Sequence, residues 1–104
     1  MLRSIPLLIL IAGAPAPAMP TDSRAATRVT IEWKHGAKEK LVADDSLWRC
    51  TGSTCTGRVV DRARSRLRAC RQLARAGGRI VSFETASGAL SSNELAACND
   101  VLQR

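Results

Sequence analysis

Four cysteines, Cys50, Cys55, Cys70 and Cys98, constrain this 104-residue chain more than any other feature. Whether they staple a fold, hold a metal or do redox chemistry depends on their spacing and on the compartment. The N-terminus speaks to the compartment. Met1-Leu2-Arg3-Ser4 is a short basic start, Ile5 to Ile11 is apolar apart from Pro6, and Ala12 to Ala18 contains only Ala, Gly and Pro. That order is the pattern of a secretory signal. The preferred cut follows Ala18, because Ala16 and Ala18 then fill the two small-residue positions before it. A spanning helix needs about 20 apolar residues, and this run is shorter and broken by proline. The chain is therefore expected to be exported, periplasmic or secreted, with no transmembrane span after the signal at residues 1–18.

The remaining domain is small, and small secreted domains commonly supplement an undersized core with disulfides. Without Arg3, 15 basic residues stand against 9 acidic ones, and 12 of the basic residues are arginine. Arginine favours planar, bidentate contacts with carboxylate or phosphate.

Residues 19–26 read as a flexible tether, and residues 27–104 as one domain. Thr27 to Trp33 alternates, with Val29, Ile31 and Trp33 on one face, which predicts a half-buried strand. Lys34-His35-Gly36 reads as a turn, and Lys38 to Val42 as a short return strand. Leu47 to Val60 reads as a hairpin turning at Thr51-Gly52-Ser53-Thr54. A four-residue turn sets Cys50 opposite Cys55, and Trp48 opposite Gly57. Asp61 to Ala76 predicts a helix with Asp61 as N-cap and Gly77-Gly78 as its stop. Arg79 to Glu84 is a strand through Ile80, Val81 and Phe83. Ser91 to Val101 is a second helix, opened by the capping box Ser91-Ser92-Asn93-Glu94 with Leu90 and Leu95 at the staple positions. The expected fold is α+β: a small antiparallel sheet packed by two helices and stapled by disulfides, its strand order left open.

Four cysteines allow three pairings. Cys70 shares the apolar stripe of the first helix with Ala63, Leu67 and Ala74. Cys98 shares that of the second with Leu95 and Leu102, so both point inward. Cys50 and Cys55 face each other across the hairpin. The favoured pairing is Cys50–Cys55 with Cys70–Cys98. Zinc competes, but its ligand pairs sit two to four residues apart, twice over, and the gap from Cys70 to Cys98 does not repeat that spacing. There is no Cys-x-x-Cys for thiol–disulfide exchange. No metal or cofactor is expected.

Trp48-Arg49-Cys50 with Gly52 and Cys55, Cys70 followed by Leu73-Ala74, Gly78, Phe83, Gly88-Ala89-Leu90, Leu95 and Cys98-Asn99 together resemble a family of short secreted proteins of alphaproteobacteria whose activity is uncharacterised. The resemblance spans roughly residues 42–100 and leaves Thr27 to Val42 outside it. The resemblance implies an exported, periplasmic chain with paired cysteines, and carries over no activity and no catalytic residue.

The sharpest candidate site is on the first helix. At 100° per residue, Arg64, Arg68, Arg71 and Arg75 fall within about 60° of one another, beside the apolar stripe. Like charges at i,i+4 cost a few tenths of a kcal/mol each, and an anion would relieve them. The functional reading is a non-enzymatic docking strip for an acidic protein, anionic lipid headgroups or an envelope polyanion. The bland reading is a solvated face, offset by Asp61, Glu94 and Asp100, on a structural or stress-related domain with no specific ligand. Nucleic acid is disfavoured, because Trp33, Trp48 and Phe83 all fall on inward faces and leave no stacking platform. His35 lies in a basic turn without a nucleophile or acid beside it, and Asp44-Asp45-Ser46 reads as a turn. No catalytic constellation is present.

Overall fold

Period-two alternation of apolar residues dictates strands that bury one face only, and the chain builds one sheet from them. A computed structural model of the protein describes residues 24–103. The expected signal at 1–18 and residues 19–23 of the expected tether lie outside the described residues. The elements are β1 (Arg24–Trp33), β2 (Lys40–Ala43), β3 (Ser46–Thr51), β4 (Thr54–Val60), α1 (Ala63–Gly77), β5 (Gly78–Thr85), β6 (Gly88–Ala89) and α2 (Ser92–Asn99), followed by a 3-10 turn (Asp100–Gln103). The six strands form one antiparallel sheet in the order β2-β3-β4-β1-β5-β6. Both helices pack on one side of it, which makes the fold α+β.

Val29 and Ile31 of β1, Trp48 and Cys50 of β3, Cys55 and Val59 of β4, and Ile80 and Phe83 of β5 point to the helices and are buried. Trp48 is fully enclosed, its indole nitrogen donating to the Ala43 carbonyl at 3.2 Å. Its ring lies over Gly57: a Cβ there would stand 2.7 Å from Cε3 and 2.8 Å from Cε2. The Cys50–Cys55 and Cys70–Cys98 disulfides are both formed. Cys50 N–H donates to the Glu39 carbonyl on the β2 side at 2.8 Å, so Cys50 and Cys55 are a non-hydrogen-bonded pair across β3 and β4. Side chains approach most closely in such pairs.

Several sequence expectations shift. The strand expected from Thr27 begins at Arg24, because Arg24, Ala25 and Ala26 pair with Val60, Val59 and Arg58; those residues are not tether. The strand expected at Lys38 to Val42 is Lys40–Ala43, and it pairs with β3 rather than returning along β1. Its link to β3 is the two-residue turn Asp44-Asp45, with φ of 51° and 60°. Asx residues tolerate such left-handed angles, and two in succession suit the twist of a tight hairpin. In β5, Ser82 pairs with Thr30 but Ile80 pairs with Ile31, so Val81 is an extra residue at a bulge. The bulge resets the alternation: Ile80 and Phe83 both reach the core, and Val81 turns out at 42% exposure.

Asp61 does not cap α1. The N-cap is Arg62, without a side-chain cap. Asp61 Oδ1 instead accepts from Arg66 at 2.7 Å, Ser87 at 3.0 Å and Thr85 at 3.1 Å, tying the start of α1 to the β5–β6 turn. Gly78 ends the helix at φ 143°, where a Cβ would meet the Glu32 carbonyl. The capping box of α2 is present in both directions, Glu94 N–H to Ser91 Oγ at 3.2 Å and Ser91 N–H to Glu94 Oε1 at 2.8 Å. The α-helix expected to reach Val101 ends at Asn99 and tightens into the 3-10 turn.

Candidate functional site

α1 buries Ala69, Cys70, Leu73 and Ala74 against the sheet. Rotation by 100° per residue then carries Arg64, Arg68, Arg71 and Arg75 to the side facing away from the core. This corrects the expected placement beside the buried stripe. Ala63 is exposed and Leu67 half-buried, because that flank of α1 faces α2 rather than the sheet.

The four arginines line one shallow depression of about 300 Å³, together with Leu67 and Gln72, and no acidic side chain takes part in its lining. Two of the four are tied. Arg68 Nε donates to Asp44 Oδ1 at 2.8 Å. Asp44 is further held by its own N–H, which donates to Gln72 Oε1 at 2.6 Å, so the β2–β3 turn is pinned to α1. Arg71 Nε donates to the Ala97 carbonyl in α2 at 3.2 Å. Arg64 and Arg75 make no ion pair or side-chain hydrogen bond among the described residues.

Two of the acids expected to offset the strip, Asp61 and Glu94, are used differently. Asp61 serves Arg66, and Asp44, assigned only to a turn, is the acid that reaches the arginines. Desolvation raises the Asp61 carboxyl, but donation from Arg66, Ser87 and Thr85, with the Arg66 charge, outweighs it and holds the group below its ordinary value. Glu94 is also held low, by the Ser91 backbone and side chain against a desolvation that raises it, with a further contribution from the Arg66 charge.

A second depression adjoins the first. Ala63 and Leu67 of α1 and Leu90 and Ala97 line a groove of about 440 Å³ between the helices, and Arg64, Asn93 and Glu94 share in its lining. The aromatic residues are structural. Trp48 and Phe83 are buried with ring centroids 6.4 Å apart, and Trp33 is half-buried, donating from Nε1 to the Gly52 carbonyl at 2.9 Å. His35 lies exposed in the β1–β2 connection.

The chain matches a family of unknown function, DUF8200, over residues 7–100. The chain belongs to that family. The DUF8200 match takes in β1 and the connection to β2, which the resemblance over residues 42–100 had left out. No curated protein and no solved structure matches the chain. Both disulfides of this DUF8200 member fit an oxidising compartment, extracellular or periplasmic. Among the described residues no helix is long and apolar enough to cross a membrane.

Alternation along single strands does not show which exposed residues become neighbours across the sheet. The strand order aligns Lys40, Arg49 and Arg28 on the face away from the helices. Their outward positions are legible in the sequence; their alignment requires the register.

Proposed function

We propose that the protein is an exported, non-enzymatic interaction module whose α1 arginine face docks an acidic protein surface. The observation that supports it is the convergence of Arg64, Arg68, Arg71 and Arg75 on one depression with no acid in its lining. Positive charge gathered in this way favours an anion, and guanidinium groups meet carboxylates in bidentate pairs. The tied arginines suit the role. Anchored at Nε, Arg68 and Arg71 hold their terminal nitrogens in place, so less side-chain freedom is lost on binding. The adjoining apolar groove completes a surface of the kind proteins use to bind one another, apolar at the centre and rich in arginine.

A second reading, a structural or stress-related domain with no specific ligand, draws on the same two bonds, since Arg68 and Arg71 already serve the fold. Polyglutamate is a suitable probe to separate the two. The docking reading expects binding that weakens steeply as salt rises, amide shifts centred on α1, and clear weakening in Arg64→Gln/Arg75→Gln, which spares the two anchored side chains. Binding that is absent, or is unchanged in that variant, favours the structural reading.

A further inference from the structure

The sheet has a second face, on which no described element packs, and strand pairing fixes what it displays. Lys40 pairs with Arg49, Arg49 with Thr56, Thr56 with Arg28 and Arg28 with Glu84, so one row crosses five strands. All five residues are exposed. At a strand spacing of about 4.8 Å, the three cations lie within roughly 14 Å. None of them makes an ion pair or a side-chain hydrogen bond among the described residues, and Glu84 forms no ion pair with Arg28 although it stands opposite.

Two more rows flank this one. On one side Thr51, Thr54, Thr30 and Ser82 are successive neighbours, a line of hydroxyls across four strands. On the other side Val42 pairs with Leu47, and these two aliphatic side chains are 69% and 47% exposed. Both arrangements are locally unfavourable. Like charges directly opposite, as in Lys40 and Arg49, destabilise a sheet, and neighbouring aliphatic side chains in water gain nothing from burial.

We infer that this face binds an anionic phospholipid surface. Its charge is complementary to headgroup phosphates, its hydroxyl row donates to phosphate and glycerol oxygens, and Val42 and Leu47 enter the boundary between headgroups and acyl chains. A single-stranded polynucleotide suits it less. Trp33, Trp48 and Phe83 are committed to the helix-covered side and to the core, so the face has no aromatic on which bases could stack. The inference is independent of the α1 reading. It also gives that reading an orientation, because a molecule held by its sheet turns α1 away from the bilayer.

The test is sedimentation of the exported, disulfide-bonded protein with vesicles of mixed phosphatidylglycerol and phosphatidylcholine, and with vesicles of phosphatidylcholine alone. The wild type is expected to bind only the anionic vesicles. Lys40→Gln/Arg49→Gln/Arg28→Gln should lower partitioning about 100-fold, at roughly fivefold per cation near an anionic surface. Lys40→Arg/Arg49→Lys/Arg28→Lys, which keeps the charge, should bind like wild type. Val42→Ser/Leu47→Ser should lose about tenfold, and Arg64→Gln/Arg75→Gln should lose little. The proposal is overturned by equal binding to both vesicle types, by wild-type binding in the glutamine triple variant, or by an equal loss in Arg64→Gln/Arg75→Gln. Undiminished binding in Val42→Ser/Leu47→Ser, with soluble polyphosphate competing fully, would assign the face to a soluble polyanion instead.

Discussion

Asn99 holds both backbone groups of Ile80: its Nδ2 donates to the Ile80 carbonyl at 2.9 Å and its Oδ1 accepts from the Ile80 N–H at 2.7 Å. β6 pairs only with Glu84 and Thr85, so beyond them the outer edge of β5 has no strand partner among the described residues. The amide supplies one residue's worth of strand pairing at the bulge. An open edge is a template for unwanted association, and covering it is a recognised protection. Asn99→Ala leaves two part-buried backbone groups unmatched and should cost about 2 kcal/mol in urea unfolding. Asn99→Asp sets a carboxylate against the Ile80 carbonyl. It should be at least as destabilising at neutral pH and recover in acid, where the protonated carboxyl can donate. Equal stability of Asn99→Asp and wild type at neutral pH would rule out this account.

Gly57 is required by Trp48, not by its backbone angle. A Cβ would overlap the indole, which is fully buried and hydrogen-bonded to Ala43. Gly57→Ala should therefore cost about 1–3 kcal/mol through overpacking and change the tryptophan fluorescence. Gly52 differs: φ is +62° and nothing lies within 4 Å of a Cβ there. Gly52→Ala should cost about 1 kcal/mol from backbone strain alone and leave the Trp48 emission as it is, any change being confined to Trp33, whose Nε1 donates to the Gly52 carbonyl. Matching spectra for the two variants would contradict this distinction.

Where chemistry is local, the sequence is enough to locate it. Alternation at Val29, Ile31 and Trp33 marks a strand face, and a four-residue turn sets both the Cys50–Cys55 pair and the Trp48–Gly57 pair. The capping box is four consecutive residues and forms as written. Non-local features escape. Asp61 resembles an N-cap by position, but three donors brought by Arg66 and the distant β5–β6 turn compete for its oxygens. The bulge at Val81 depends on how β5 registers against β1, which no single-strand pattern encodes. On the arginine face, helical periodicity groups the four side chains correctly, yet the partners Asp44 and Ala97 come from elements far along the chain.

The two disulfides should differ in worth. Cys70 and Cys98 are 28 residues apart and join α1 to α2, whereas Cys50 and Cys55 are 5 apart within one hairpin. Loop-closure entropy in the unfolded chain assigns about 3.5 kcal/mol to the first and about 2 kcal/mol to the second. Cys70→Ala/Cys98→Ala should therefore unfold at markedly lower urea than Cys50→Ala/Cys55→Ala. In the latter the strand register persists, because Trp48 still lies over Gly57. The reverse order of midpoints would show that strain or residual structure outweighs loop length.

Acid should weaken the domain through Asp61 and Glu94. Both carboxyls are held below their ordinary values of 3.8 and 4.5 in the folded protein, Asp61 by donors that outweigh its desolvation and Glu94 chiefly by Ser91. A group whose folded pKa is depressed binds protons more readily in the unfolded chain. Its stabilisation is complete above the unfolded value and is lost as pH falls through the folded one. The urea midpoint should thus hold steady near neutrality and decline once pH drops below about 4.5. Asp61→Asn should flatten the lower part of that decline, because an amide cannot be titrated. Glu94→Gln should flatten the upper part while its Oε1 still accepts from Ser91 N–H, so the capping box survives in form. A decline of the same slope in Asp61→Asn as in wild type would place the acid sensitivity elsewhere.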